Sequence, residues 1–145
     1  MKEDLDNCLE KYFIQILNRN GFKLIDSDFS SMGVIYRFKN SNLKFNIIND
    51  RGIIETSISS INSINYFDFE LVNIYFLKQN KTKILKPKFG ENVLSKRLNL
   101  EEISLFFDKE FDWIKSVFDK TEFLKTETEL QNIGNERAKL LFGKY

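Results

Sequence analysis

Apolar residues recur at three- and four-residue spacing through the first twenty positions: Leu5, Cys8, Leu9, Tyr12, Phe13, Ile16 and Leu17. That period predicts an amphipathic helix over residues 3–20, with Gly21 just past its end as the C′ residue. From Phe22 the period becomes two. Phe22–Asp26 reads as a short strand and Ser27–Met32 as a loop, followed by alternating runs at Val34–Lys39, Leu43–Asn49 and Ile53–Ser60. Asn40-Ser41-Asn42 and Asp50-Arg51-Gly52 separate these runs and carry turn chemistry. A two-residue Asn40-Ser41 turn sets Phe38 against Leu43, Tyr36 against Phe45 and Val34 against Ile47. A four-residue Asn49–Gly52 loop then sets Ile47 against Ile54, Phe45 against Thr56 and Leu43 against Ile58. A loop of odd length would mix polar and apolar faces, because a one-residue slip inverts every side chain.

Residues 66–78 carry both periods. Phe67-Asp68-Phe69-Glu70-Leu71 alternates like a strand, whereas the longer segment makes a helix with two apolar stripes. One stripe is Phe67, Leu71, Ile74 and Tyr75, and the other is Phe69, Val72 and Phe76. The helical reading is favoured, and a helix apolar on two sides must be covered on both. Lys78–Lys96 is basic and irregular around Pro87 and Gly90, with room for a short hairpin. Asn99 with Glu102 forms a capping-box pair ahead of Ile103, Phe106, Phe107, Phe111, Ile114 and Phe118. A last helix is expected to start at Thr126 with Glu129 and to run through Leu130, Ile133, Leu140 and Leu141 to Gly143. Gly134 inside it costs about 1 kcal/mol against Ala, which suggests close backbone packing at that point.

The expected fold is therefore α+β: an N-terminal helix on a three- to four-stranded antiparallel meander, followed by three helices. One domain is expected over 1–145, with helix and sheet in 1–60 and mainly helix in 61–145. The composition supports a real core, since 42% of residues are hydrophobic and 15 are Phe. Each buried ring removes about 150–250 Å² from water. Ile, Asn, Lys and Phe supply 63 of the 145 residues, the residue bias of AT-rich bacterial coding sequence.

The candidate chemistry is sparse. The chain has no His and one Cys, so the usual proton shuttle and commonest metal ligand are missing, and no intramolecular disulfide is possible. No metal and no cofactor are expected. Cys8 lies in the apolar stripe of the first helix and reads as a core residue. Asp26-Ser27-Asp28 reads as a turn whose side chains bond their own backbone. Asp108, Glu110 and Asp112 alternate with Lys109 and Lys115 and read as a solvated helix face. The net charge of +1 gives no global pull toward nucleic acid. Lys78–Lys88 holds five lysines without interleaved aromatic or Arg groups, so an exposed loop is expected there and no nucleic-acid partner. No run of 18 apolar residues is present and the first residues are acidic, so neither a membrane span nor a signal peptide is expected. A cytoplasmic location fits the unpaired cysteine. On the outward sheet face the expected register puts Arg37 opposite Lys44, a mildly unfavourable pair that Glu55 relieves from the diagonal.

Four stretches carry a resemblance: Met32-Gly33-Val34-Ile35-Tyr36-Arg37-Phe38, Asn49-Asp50-Arg51-Gly52, Tyr66-Phe67-Asp68-Phe69-Glu70-Leu71-Val72, and Asn135-Glu136-Arg137-Ala138-Lys139-Leu140-Leu141-Phe142. With the order of elements around them, the chain resembles the small α+β immunity proteins that bacteria encode beside polymorphic secreted toxins. The resemblance implies a non-catalytic protein, monomer or homodimer, whose partner is a cognate toxin. It implies no catalytic residues and no shared binding site. Candidate partner-binding residues are Arg37, Lys44 and Glu55 on the sheet, and Asp108, Glu110 and Asp112 on the third helix. The acidic set is preferred because toxins with anionic targets are basic. Two other classes stay open. A non-catalytic adaptor or oligomeric subunit would expose an apolar surface near Phe69, Val72 and Phe76. A histidine-free enzyme would bring two of its Asp, Glu, Lys or Tyr groups together in an apolar pocket.

Overall fold

The computed structural model describes residues 2–80 and 97–142. The basic segment 81–96 and the expected helix end at Gly143 lie outside the described residues. An α+β fold is present, and among the described residues it runs helix first, then a five-stranded antiparallel sheet in the order β1-β2-β3-β4-β5, then four helices.

The N-terminal helix is two α-helical pieces, α1 (Lys2–Cys8) and α2 (Ile14–Arg19), joined by a π-helical turn over Leu9–Phe13. The wider turn has a packing reason. Leu5 and Cys8 are buried, and the next buried side chain is Phe13, five positions after Cys8 and not four. One extra residue per turn carries Phe13 into the core and leaves Tyr12 half-buried at the edge. At the C-terminal end Phe22 N–H donates to Leu17 O (2.9 Å) and Gly21 N–H to Asn18 O (3.2 Å), the paired bonds of a Schellman cap.

The sheet comprises β1 (Lys23–Phe29), β2 (Gly33–Lys39), β3 (Leu43–Asp50), β4 (Ile53–Ser60) and a two-residue β5 (Phe67–Asp68). The strand count therefore exceeds the expected three to four. Asp26-Ser27-Asp28 belongs to β1 and not to a turn, because Arg37 on β2 bonds both carboxylates (2.8 and 2.6 Å) and holds the strand in line.

The faces are as expected, but the register differs by two residues at both hairpins. Phe38 pairs with Phe45, Tyr36 with Ile47, Phe45 with Ile58 and Ile47 with Thr56. The turns decide this. Asn40 Oδ1 accepts from the N–H groups of Asn42 (2.8 Å) and Leu43 (2.7 Å), so Ser41-Asn42 forms the turn and not Asn40-Ser41. At the second hairpin Arg51 (φ 55°) and Gly52 (φ 93°) are both left-handed, the type I′ geometry that closes a two-residue hairpin. Asn49 Oδ1 accepts from Gly52 N–H (2.8 Å). A shift of two keeps every side chain on its face, so the inward set of Val34, Tyr36, Phe38, Leu43, Phe45, Ile47 and Ile58 is buried as one surface. Gly33 is required by the packing of β2 on β3: a Cβ there would lie 2.5 Å from the backbone oxygen of Asn49.

Residues 66–78 are partly strand and partly helix. After β5, Asp68 accepts from Leu71 N–H (2.8 Å) and caps α3 (Phe69–Gln79). Both apolar stripes are covered. In one stripe Phe69 meets Phe45 and Phe107, and Phe76 meets Phe106 and Trp113. In the other Phe67, Leu71, Ile74 and Tyr75 are buried, with Tyr75 against Trp113. The Asn99–Glu102 capping box forms and starts α4 (Leu100–Lys109). The long third helix expected from the sequence is broken at Glu110 (φ −105°, ψ 22°), after which α5 (Phe111–Val117) continues. The last helix, α6 (Phe123–Phe142), starts three residues before Thr126. Thr126 is buried and donates to Val117 O (2.5 Å), tying α6 to the end of α5 instead of capping a helix. At Gly134 the nearest atom to an added Cβ is Leu71 Cδ2 at 3.9 Å, so close packing does not demand glycine there.

Candidate partner-binding surface

The sheet candidates separate in space because of the register. Arg37 lies opposite Asn46, not Lys44, and its guanidinium is taken by Asp26 and Asp28. Lys44 faces Lys39 on β2 and Ser59 on β4. Its ammonium donates to Ser63 O and sits 5.1 Å over the Tyr66 ring, and burial lowers its pKa. The expected relief by Glu55 does not arise, since Glu55 pairs with Ile48. The register separates Arg37 from Lys44 and sets Lys44 opposite Lys39 instead, with the Lys44 ammonium drawn to the Ser63 carbonyl and the Tyr66 ring. These three residues are therefore three separate environments.

The acidic helix candidates also divide. Asp108 pairs with Arg19 across the two helical layers, Glu110 is half-buried at the α4–α5 break, and Asp112 is exposed in the first turn of α5. There it favours the positive end of the helix dipole. Of the three, only Asp112 is both exposed and without a side-chain hydrogen bond or ion pair among the described residues.

The structure adds a feature that no local motif announced. A groove of about 890 Å³ opens between the β4 edge, the start of α4 and the C-terminal half of α6. Its apolar lining includes Tyr12, Ile48, Ile54, Leu100, Leu141 and Phe142. Among the described residues its charged lining is four carboxylates (Glu55, Asp68, Glu70, Glu101) against two guanidiniums (Arg97, Arg137), an acidic excess. Glu55, alone among the candidates read from sequence, belongs to it.

Two ion pairs fix the wall of the groove. Arg137 on α6 donates to both oxygens of Asp68 (3.3 and 2.9 Å), the same carboxylate that caps α3. The hydrogen bonds to Asp68 raise the Arg137 pKa, so its charge is permanent at any ordinary pH. Arg97 approaches Glu70 at 3.8 Å, and Glu70 also accepts from Leu98 N–H (3.1 Å). These acids are thus engaged in holding α3, α4 and α6 in place. Sequence spacing could not have shown this, because the partners are 69 residues apart in one case. Among the described residues no group of His, Cys, Asp or Glu side chains could hold a metal ion, and no helix is long and apolar enough to cross a membrane.

Comparison of the chain with family models, with curated proteins and with solved structures gives no match. The functional reading therefore rests on geometry and on the residues themselves.

Proposed function

We propose that this protein acts by binding another protein, as an immunity protein that occludes a cognate bacterial toxin without chemistry. The observation that carries the reading is the groove: concave, held open by ion pairs, apolar along its walls and acidic in balance. A surface that must neutralise by affinity alone needs desolvated anchors and complementary charge on a rigid frame. Leu141, Phe142 and Ile54 are the anchors in this account, and Glu55 and Glu101 supply the field that draws a basic partner. Asp112 extends that field along the helical side, and Asp108 and Glu110 contribute less because packing engages them.

The observations support this over the two other classes. The apolar surface that an adaptor would present near Phe69, Val72 and Phe76 is internal: the first two are buried and the third is half-buried against Trp113. Two of the groove's acids, Asp68 and Glu70, meet guanidiniums and backbone donors, which suits a scaffold better than general acid–base work. The test is co-expression with the toxin encoded beside this gene. Growth is expected to be rescued by the wild-type chain and lost with Glu55→Lys. Growth arrest with the wild-type chain present contradicts the proposal.

A further inference from the structure

The opposite edge of the sheet is an open strand. β1 is an edge strand of seven residues, and among the described residues no strand pairs with its outer side. Ser30 N–H donates to Gly33 O (2.9 Å), which makes Ser30 and Gly33 a bonded pair of the β1–β2 ladder. Bonding direction alternates along an antiparallel strand. Asp28 and Asp26 therefore turn their backbone groups toward β2, and Ser27 and Phe29 turn theirs outward. Such unpaired rows are templates for another strand.

The side chains select what can pair there. On the inward face Leu24 and Phe29 flank Ser27, and each remains 55% exposed although both lie on the core side of the sheet. Ile25 and Met32 nearby are also exposed. Phe29 is held in place by an edge-to-face contact with Tyr36 (6.2 Å), whose hydroxyl donates to Asp6 (2.6 Å). On the outward face Asp26 and Asp28 share the one guanidinium of Arg37, leaving one net negative charge at that half of the open edge, while Lys23 and Lys39 face each other at the other end of β1.

We propose that the free edge of β1 takes up an extended segment of a partner protein that alternates basic and apolar residues, by antiparallel strand addition. Its basic side chains lie against Asp26 and Asp28, continuing the cross-strand charge pattern that starts at Arg37. Its apolar side chains cover Leu24 and Phe29 on the other face. A second copy of this chain fits poorly. Antiparallel pairing of two β1 strands about Ser27 would bring four aspartates together against two Arg37 groups. The irregularity between Leu24 and Asp26 also shortens the regular edge. This surface is distinct from the groove, and the proposal stands whether or not the partner is a toxin.

The experiment uses the intact protein and two blocked ten-residue peptides, one alternating Val and Lys and one alternating Val and Glu. Binding is read by backbone amide NMR shifts and by hydrogen exchange. The Val–Lys peptide is expected to slow exchange at Ser27 and Phe29 and to bind at least about tenfold more tightly than the Val–Glu peptide. The double variant Asp26→Asn, Asp28→Asn, checked for an unchanged unfolding midpoint, is expected to lose that preference. Three results would overturn the proposal. They are no added protection at Ser27 and Phe29, equal binding of the two peptides, and protection in the free protein that rises with its own concentration, which would mean that a second copy occupies the edge.

Discussion

Phe45 touches four other aromatic rings: Phe13, Phe38, Phe69 and Phe107, the last stacked within 5° of parallel. These partners come from the N-terminal helix, the sheet, α3 and α4, so one side chain closes the core between layers. Phe45→Ala is expected to destabilise by about 3–5 kcal/mol, the range for a large aromatic deleted from a close-packed site. Lys39→Ala, exposed on the other face of the neighbouring strand, is expected to change stability by less than about 0.5 kcal/mol. Denaturant unfolding of the two variants checks the pair, and equal effects would mean that the faces are misassigned. Cys8 gives a second measurement at this scale. Burial raises its thiol pKa, so the folded state holds the proton while the unfolded chain releases it at about pH 8.5. Unfolding then releases a proton, and this group's contribution to stability falls as the pH rises above that value. A thiol reagent at pH 8 is expected to leave the native protein unlabelled and to label one thiol after denaturation. Rapid labelling of native protein would place Cys8 at the surface.

At the scale of elements, Asp68 links three of them: it pairs with Ser57 on β4, caps α3 and receives both donors of Arg137 on α6. Asp68→Ala is expected to destabilise by about 1–3 kcal/mol, since it removes a cap and leaves a half-buried guanidinium unpaired. Asp68→Asn keeps a good cap and loses the ionic partner, so thermal unfolding of the two variants separates the contributions. An Asn variant as unstable as Ala would show that the cap contributes little. Gly134→Ala runs the other way: the site has room for a Cβ, and the variant is expected to gain up to about 1 kcal/mol in helix propensity. Elements were the most legible scale. Period two located β2, β3 and β4, and the Asn99–Glu102 pair placed the start of α4, because those signals are local. By contrast, β1 runs on to Phe29 through the expected loop, and β5 was not expected. The register was off by two at both hairpins because Asn40 and Asn49 set the turns through side-chain bonds to backbone N–H groups. Several turn geometries share the same residues. The break at Glu110 and the early start of α6 were hidden for a related reason. Tertiary contacts such as Thr126 to Val117 override the capping pattern in the chain.

At the scale of the whole molecule the sequence said least. The sheet faces could be assigned from alternation, yet the groove needs β4, α4 and α6 to meet, and no spacing in the chain encodes that meeting. Glu55 was legible as an outward acid, but its neighbours in the groove were not. The pairing of Arg37 with Asp26 and Asp28, only 11 and 9 residues away, was hidden because Ser27–Met32 reads as a loop, which does not carry β1 alongside β2; the two carboxylates satisfy the cation. The two edges of the sheet thus differ in kind: the β4 side is a deep groove, and the β1 side is an open strand. The central claim, that a preformed groove with an acidic excess binds and occludes a basic toxin, is tested most directly by calorimetric titration of the purified protein with the toxin encoded beside its gene. The wild-type chain is expected to form a one-to-one complex that Glu55→Lys weakens by at least about tenfold while its unfolding midpoint is unchanged. No binding by the wild-type chain would contradict the account.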